Sequence, residues 1–157
     1  MDADFLLSKN FSFYEMTATA RAEFQEVNRA KAFSHTLELT GLCQIVLEPV
    51  RAHFGKPLII HSAFRCADLN KSVGGSPTSQ HTLGQAADFH IPGVNFADIF
   101  NFIWRESNIP FGQLIDEKNW IHCSTGAPWR DAARCGEVLS LNSKTGKLEL
   151  VSLKRSI

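Results

Sequence analysis

The clearest hydrophobic periodicity in the chain runs through its first third. Between residues 36 and 53, apolar side chains recur at steps of three and four, which predicts an amphipathic helix with one face in the core. Pro49 comes late in this segment, so we expect it to kink the helix rather than to prevent it. Upstream, Ser12 and Glu15 have the spacing of a capping box, which predicts the start of a short helix.

Shorter segments have the alternation or the apolar runs of β-strands. In residues 86–91, a period of two directs Asp88 and His90 to one face of the strand. In residues 120–124, the same period directs His122 to one face. Further strands are predicted over residues 58–64, 113–115, 138–141 and 148–153, with the last two as a hairpin at the sheet edge or as a lid, and a helix is predicted over residues 95–107.

Residues 67–84 differ from these segments in composition. They are rich in Gly, Ser, Thr, Pro and Asn, which predicts a loop. Loops of this length are uncommon without a functional role, and binding or catalytic residues are often found on them. We therefore expect this loop to contribute to a site.

Composition and charge narrow the function classes. The 157 residues suit one domain, and 16 Lys+Arg balance 16 Asp+Glu without a basic run, so we expect no nucleic-acid partner. The first residues lack the pattern of a signal peptide, and no window resembles a membrane span. We therefore expect a protein that is made in the cytoplasm and has no membrane partner. We also expect it to be a monomer. The four cysteines form no C-x-x-C pair, and we expect reduced, mostly buried thiols.

The candidate chemistry depends on two histidines and one aspartate. His81 and Asp88 lie seven positions apart, and His122 follows downstream. Two imidazoles and one carboxylate form a three-ligand zinc set with an open fourth position, as in catalytic sites. Each histidine alone has ordinary structural explanations, but a shared cation accounts for all three residues, including an acid in an apolar strand. His90 shares the face of Asp88 and is an alternative ligand, although we favour a supporting role.

Other polar residues are candidates for proton transfer and substrate binding. Asp116 and Glu117 come six and five residues before His122, and either carboxylate could relay a proton to a leaving amine. We favour Glu117 because its side chain is longer. Arg65 follows the strand at 58–64, where its guanidinium could contact a carboxylate or a carbonyl of a substrate; a surface ion pair is the alternative.

These residues form a recognisable pattern. The string Ser79-x-His81-x-x-Gly84-x-Ala86-x-Asp88, preceded by Ser62-Ala63-Phe64-Arg65 and followed by Trp120-Ile121-His122, resembles the M15 family of zinc D-alanyl-D-alanine carboxypeptidases and endopeptidases. The chain is most similar to the small phage and prophage branch. The likeness covers residues 8–124 and leaves 130–157 as a C-terminal extension within a single zinc peptidase domain.

The resemblance implies an α+β fold like that of D,D-peptidases and the hedgehog signalling domain, with a small, mostly antiparallel sheet and helices packed on one face. It implies zinc bound by His81, Asp88 and His122, peptidoglycan stem peptides as substrate, and substrate contacts from Arg65 and Ser79. Several branches place the catalytic acid three residues before the last histidine, where this chain has Asn119. Glu117 is the equivalent in other branches.

The functional hypothesis is therefore a zinc metallopeptidase that cuts peptidoglycan peptides, as a D,D-carboxypeptidase or an endopeptidase. It would act on the cell wall after holin-type release or as part of a phage particle, since no export signal is predicted. The alternative hypotheses are a wall-binding or peptide-binding module that keeps the fold without turnover, and a structural phage component that retains zinc.

Overall fold

The computed structural model describes residues 4–125 and 136–153, with the backbone alone at Leu153. Of the predicted extension, residues 130–135, which include Cys135, and residues 154–157 lie outside the described residues. Six α-helical segments and six strands are present in the described ranges. The helices are α1 (Phe13–Met16), α2 (Gln25–Ala32), α3 (Thr36–Leu42), α4 (Glu48–Phe54), α5 (Ala67–Ser72) and α6 (Phe96–Asn101); the strands are β1 (Ile59–Ser62), β2 (Ala86–His90), β3 (Phe111–Asp116), β4 (Ile121–Thr125), β5 (Glu137–Leu141) and β6 (Leu148–Leu153).

The six strands form one sheet in the order β1-β2-β4-β3-β5-β6. Neighbouring strands are antiparallel except for β3 and β5, which are parallel. This confirms the predicted α+β class with a mostly antiparallel sheet. The predicted hairpin at 138–141 and 148–153 is confirmed as β5 and β6, and β6 forms one edge of the sheet.

The hydrophobic core lies between the helices and one face of the sheet. Strand residues such as Phe89, Leu114 and Ile121 alternate into this core, where they join Leu39 and Ile99 from the helices. The other sheet face carries Asp88 and His122. The fold thus gives the sheet one apolar face and one polar face.

The predicted helix over 36–53 is present, with an irregular middle. Segments α3 and α4 are joined by a π-helical turn, Cys43–Leu47, and Pro49 lies in the first turn of α4. Proline has no backbone N–H, so the carbonyl of Ile45 lacks the donor four residues ahead. A wider turn just before the proline accommodates this loss without ending the helix.

The two other predicted helices, at Ser12 and over residues 95–107, are also present. Ser12 caps α1, since its side chain accepts a hydrogen bond from the backbone N–H of Glu15. The helix predicted over 95–107 is present as α6 followed by a π-helical turn, Phe102–Glu106.

The prediction of a loop over residues 67–84 was wrong. This segment contains α5 and a 3-10 turn, Gln80–Leu83. Both are short, so their apolar positions do not repeat often enough to show a helical period. Nor did the hydrophobic pattern predict α2. None of the helices in the described ranges has the length and apolar character needed to cross a membrane.

Candidate active site

Asp88 and His122 lie opposite each other on the polar face of the sheet. They are paired residues of the antiparallel strands β2 and β4, and both are buried, with 8% and 7% of their surface exposed. His122 Nδ1 lies 2.8 Å from Asp88 Oδ1. Because an ionised carboxylate only accepts hydrogen bonds, the imidazole is the donor in this contact.

His81 reaches the same place from the 3-10 turn that precedes β2. Ser79 begins this turn, and its hydroxyl accepts a hydrogen bond from the backbone N–H of His81. His81 Nδ1 lies 2.7 Å from the carbonyl oxygen of Ala63. Since a carbonyl has no proton to donate, Nδ1 carries the proton. The other ring nitrogen, Nε2, lies 3.2 Å from Asp88 Oδ2.

The three side chains form a donor set that fits a divalent metal ion. One ligand atom from each of His81, Asp88 and His122 lies within 4.8 Å of the others. In neutral His81, the nitrogen without a proton faces a carboxylate oxygen, and this contact is repulsive unless a cation or a proton lies between them. His122 Nε2 is buried and has no hydrogen-bond partner among the described residues. The protein alone therefore leaves this cluster incompletely satisfied.

The surroundings of Asp88 favour its ionised form. Burial alone would raise the pKa of Asp88, but the imidazoles of His81 and His122, through the charges and hydrogen bonds of their protonated forms, outweigh burial and hold that pKa well below its usual range. The carboxylate therefore keeps its negative charge, as a metal ligand requires.

The cluster lines a cleft of about 510 Å³. The site residues that the sequence analysis favoured all line this cleft, together with residues that were not predicted, whereas the alternatives Asp116 and His90 are not among its lining residues. The candidates are Arg65, Ser79, His81, Asp88, Glu117 and His122. His90 is not one of the residues whose donor atoms could hold a metal ion together, and its Nδ1 instead lies 2.7 Å from His61 Nε2.

Glu117 and Asp116 have different surroundings. Glu117 is half-buried in the turn between β3 and β4 and lines the cleft. Burial raises the pKa of Glu117, and the nearby charge of Asp88 raises it further. Asp116 is held by Lys118, whose ammonium lies 2.8 Å from one carboxylate oxygen and whose backbone N–H donates to the other. Glu117 therefore lines the cleft with a raised pKa, whereas Asp116 forms an ion pair with Lys118.

Arg65 lies beside the cluster, three residues after β1. Its Nη2 donates to Ser79 Oγ over 3.4 Å, whereas Nε is buried and has no partner among the described residues. Burial lowers the pKa of Arg65, and the charge of Asp88 opposes this effect. A guanidinium that is partly desolvated and incompletely paired is suited to bind a carboxylate or a carbonyl oxygen.

Gln113, Glu137 and Leu148 are among the residues of the cleft wall that sequence reasoning missed. Gln113 alternates with the core residue Leu114 on β3, so the period of two could have assigned it to the polar face. Glu137 and Leu148 come from the C-terminal hairpin. Their position depends on the parallel pairing of β5 with β3, which no local pattern indicates.

Comparison with known proteins identifies the class to which this fold and cleft belong. A sequence model of the family described as Peptidase M15 matches residues 9–124, a range that contains the whole His-Asp-His cluster. The chain therefore belongs to the peptidase M15 family. A comparison with curated proteins gives no match.

Proposed function

We propose that this protein is a zinc metallopeptidase that hydrolyses peptide bonds in peptidoglycan stem peptides or in the cross-links between them. The proposal depends mainly on one observation, the three donors of His81, Asp88 and His122 within 4.8 Å of one another in a cleft. Membership of a peptidase family supports the hydrolytic role. The three residues are assigned as the zinc ligands.

Zinc at these ligands would lower the pKa of a bound water towards neutral and would polarise the scissile carbonyl. Glu117 accepts the proton of the attacking water and delivers it to the leaving amine. Its raised pKa suits both halves of this task, because the carboxyl group must bind a proton and then release it.

Arg65 and Ser79 orient the peptide. Ser79 Oγ holds one guanidinium nitrogen, which leaves the remaining donors of Arg65 for a carboxylate or carbonyl of the substrate. We propose that the enzyme acts at the bacterial cell wall, and that it reaches the wall after holin-type release or as part of a phage particle.

The test is hydrolysis of purified muropeptides by the zinc-loaded protein, followed by mass spectrometry. Release of terminal D-alanine identifies a carboxypeptidase, and conversion of cross-linked dimers to monomers identifies an endopeptidase. We expect His122→Ala to abolish either reaction. Binding of stem peptides without any product would favour the binding module instead, and full activity of His122→Ala would remove that residue from the site.

A further inference from the structure

The part of the cleft wall that β5 forms contains an acid to which the proposed reaction assigns no role. Glu137 is the first residue of β5 and lies beside Gln113 of β3 in the parallel pair. It lines the same cleft as the His-Asp-His cluster and is half-buried. Among the described residues that line the cleft, Asp88 and Glu117 are the other acids, and both have roles in the proposed mechanism.

Gln113 fixes the orientation of this carboxylate without neutralising it. The Gln113 side-chain amide donates to Glu137 Oε2 over 2.7 Å. In the ranges that the structure describes, no lysine or arginine forms an ion pair with Glu137. An oriented carboxylate with an unused oxygen is a strong acceptor for a cationic N–H donor.

The charges of the cleft are separated along its length. Arg65 is the only lysine or arginine among the described lining residues. Glu137 lies on a strand two positions from β4, which carries His122. Strands are spaced by about 4.8 Å, and Glu137 also lies two residues along its strand from the level of His122, which pairs with Ile115. The two offsets combine to roughly 12 Å, the length of about three to four extended residues, and a long side chain would cover part of this distance. A peptide that crosses the cluster could therefore reach Glu137.

An apolar side chain near Glu137 indicates the kind of amine that fits. Ile115 of β3 lines the cleft and pairs with Leu139, two residues after Glu137 on the same face of β5. An ammonium group on an aliphatic stem could pack its methylenes on this side chain while its charge meets the carboxylate. An N-terminal ammonium has no such stem.

We propose that Glu137 selects substrates with a side-chain ammonium group on an aliphatic stem, two to three residues from the scissile bond. This inference rests on the proposed function, since it concerns the same cleft. Glu137 lies outside the range that matches the family, so the selectivity would be a property of the C-terminal hairpin of this chain.

The test compares two peptides that differ only in one lysine, free in the first and Nε-acetylated in the second. For the zinc-loaded protein, we expect about tenfold higher kcat/KM, through KM, and about tenfold tighter binding by calorimetry for the free lysine. Glu137→Gln should remove this preference and leave the kcat for the acetylated peptide unchanged. The variant keeps the fold, because the glutamine carbonyl can still accept from Gln113.

Glu149→Gln is the matched control, since Glu149 lies on the same hairpin and its carboxylate accepts from Asn142 in the turn. The Glu149→Gln variant should keep the preference for the free-lysine peptide. A third peptide, with a free N-terminus and an acetylated lysine, separates the N-terminal ammonium from the side-chain ammonium. If the protein preferred this peptide to the other acetylated peptide, the result would contradict a site for a side-chain ammonium. Equal binding of both lysine peptides, or a preference that survives in Glu137→Gln, would overturn the inference. If neither peptide is cut, the proposed function fails, but calorimetry still tests the recognition of the amine.

Discussion

Asp88 illustrates how a single residue can indicate function. A charged side chain among buried strand residues costs several kcal/mol unless it is paired. In this structure it contacts two imidazoles, at 2.8 and 3.2 Å. Strand alternation, a local feature, predicts the face of the strand on which each of Asp88 and His122 lies. Their meeting depends on the pairing of β2 with β4, which joins residues 34 positions apart, so the sequence alone left it conditional. The role of Asp88 as a metal ligand stays a proposal.

Glu117→Gln tests the proton relay at the same scale. The substitution keeps the shape of the side chain and removes the proton acceptor, so we expect kcat to fall by about 10² to 10⁴. In the parent enzyme, the base form accumulates only as the pH rises through the raised pKa of Glu117. Activity should therefore decline on the acid side at a higher pH than an ordinary glutamate would give. Steady-state kcat measured across acid and neutral pH checks both expectations.

Asp116→Asn is the matched control for this prediction. Asp116 is bound to Lys118 through both carboxylate oxygens, so its loss should leave kcat within about threefold of the parent. A loss as large as that of Glu117→Gln would show that the relay had been assigned to the wrong acid.

At the scale of elements, the regular segments could be predicted and the short ones could not. Helix α3 and its continuation into α4 show several turns of apolar periodicity. Helix α2 shows little apolar periodicity, because one of its two buried residues is the polar Asn28. The Asn28 amide donates to the carbonyls of Thr17 and Phe64 and accepts from the N–H of Cys66. These partners lie in other parts of the chain, so only the tertiary structure shows why α2 packs there.

Gly84 tests the turn that links His81 to β2. It has φ +69°, and an added Cβ would lie 3.2 Å from His35 Cβ and 3.3 Å from Leu39 Cγ. Gly84 therefore allows the turn to approach His35 and Leu39. Gly84→Ala combines a left-handed backbone with a tight contact, so we expect it to lower the free energy of unfolding by about 2 to 3 kcal/mol. Urea denaturation of the metal-free protein measures this.

Gly55→Ala separates the two causes. Gly55 has φ +63° at the end of α4, but an added Cβ would have nothing within 4 Å. The backbone conformation alone should cost about 1 kcal/mol. Equal losses in the two variants would show that the contact with His35 and Leu39 is unimportant.

At the scale of the whole molecule, the two faces of the sheet have different roles. One face packs in the hydrophobic core, and the other forms a wall of the cleft. Strands β5 and β6 extend this cleft with residues that lie outside the range that matches the family. This extension could not be predicted, because the contact between Gln113 and Glu137 joins residues 24 positions apart through a parallel pair. The thiols of Cys43 and Cys123 lie on the core side of the sheet, away from the cleft. Burial there raises the pKa of each to about 12.

Zinc binding should stabilise the whole fold, because its proposed ligands come from two central strands and from the turn before β2. A ligand that binds only the folded state at 1,000 times its Kd adds about 4 kcal/mol, or about 10 °C in Tm for a chain of this size. The unfolded chain exposes four cysteines that also bind zinc, so the observed gain should be smaller than this figure. We expect excess chelator to lower Tm and His122→Ala to remove the zinc-dependent shift. His53→Ala, whose ring stacks on Phe102, should keep that shift whatever its own stability. Calorimetric scans with and without zinc measure these shifts in Tm. An unchanged Tm in the parent protein would mean that the three donors do not hold a metal.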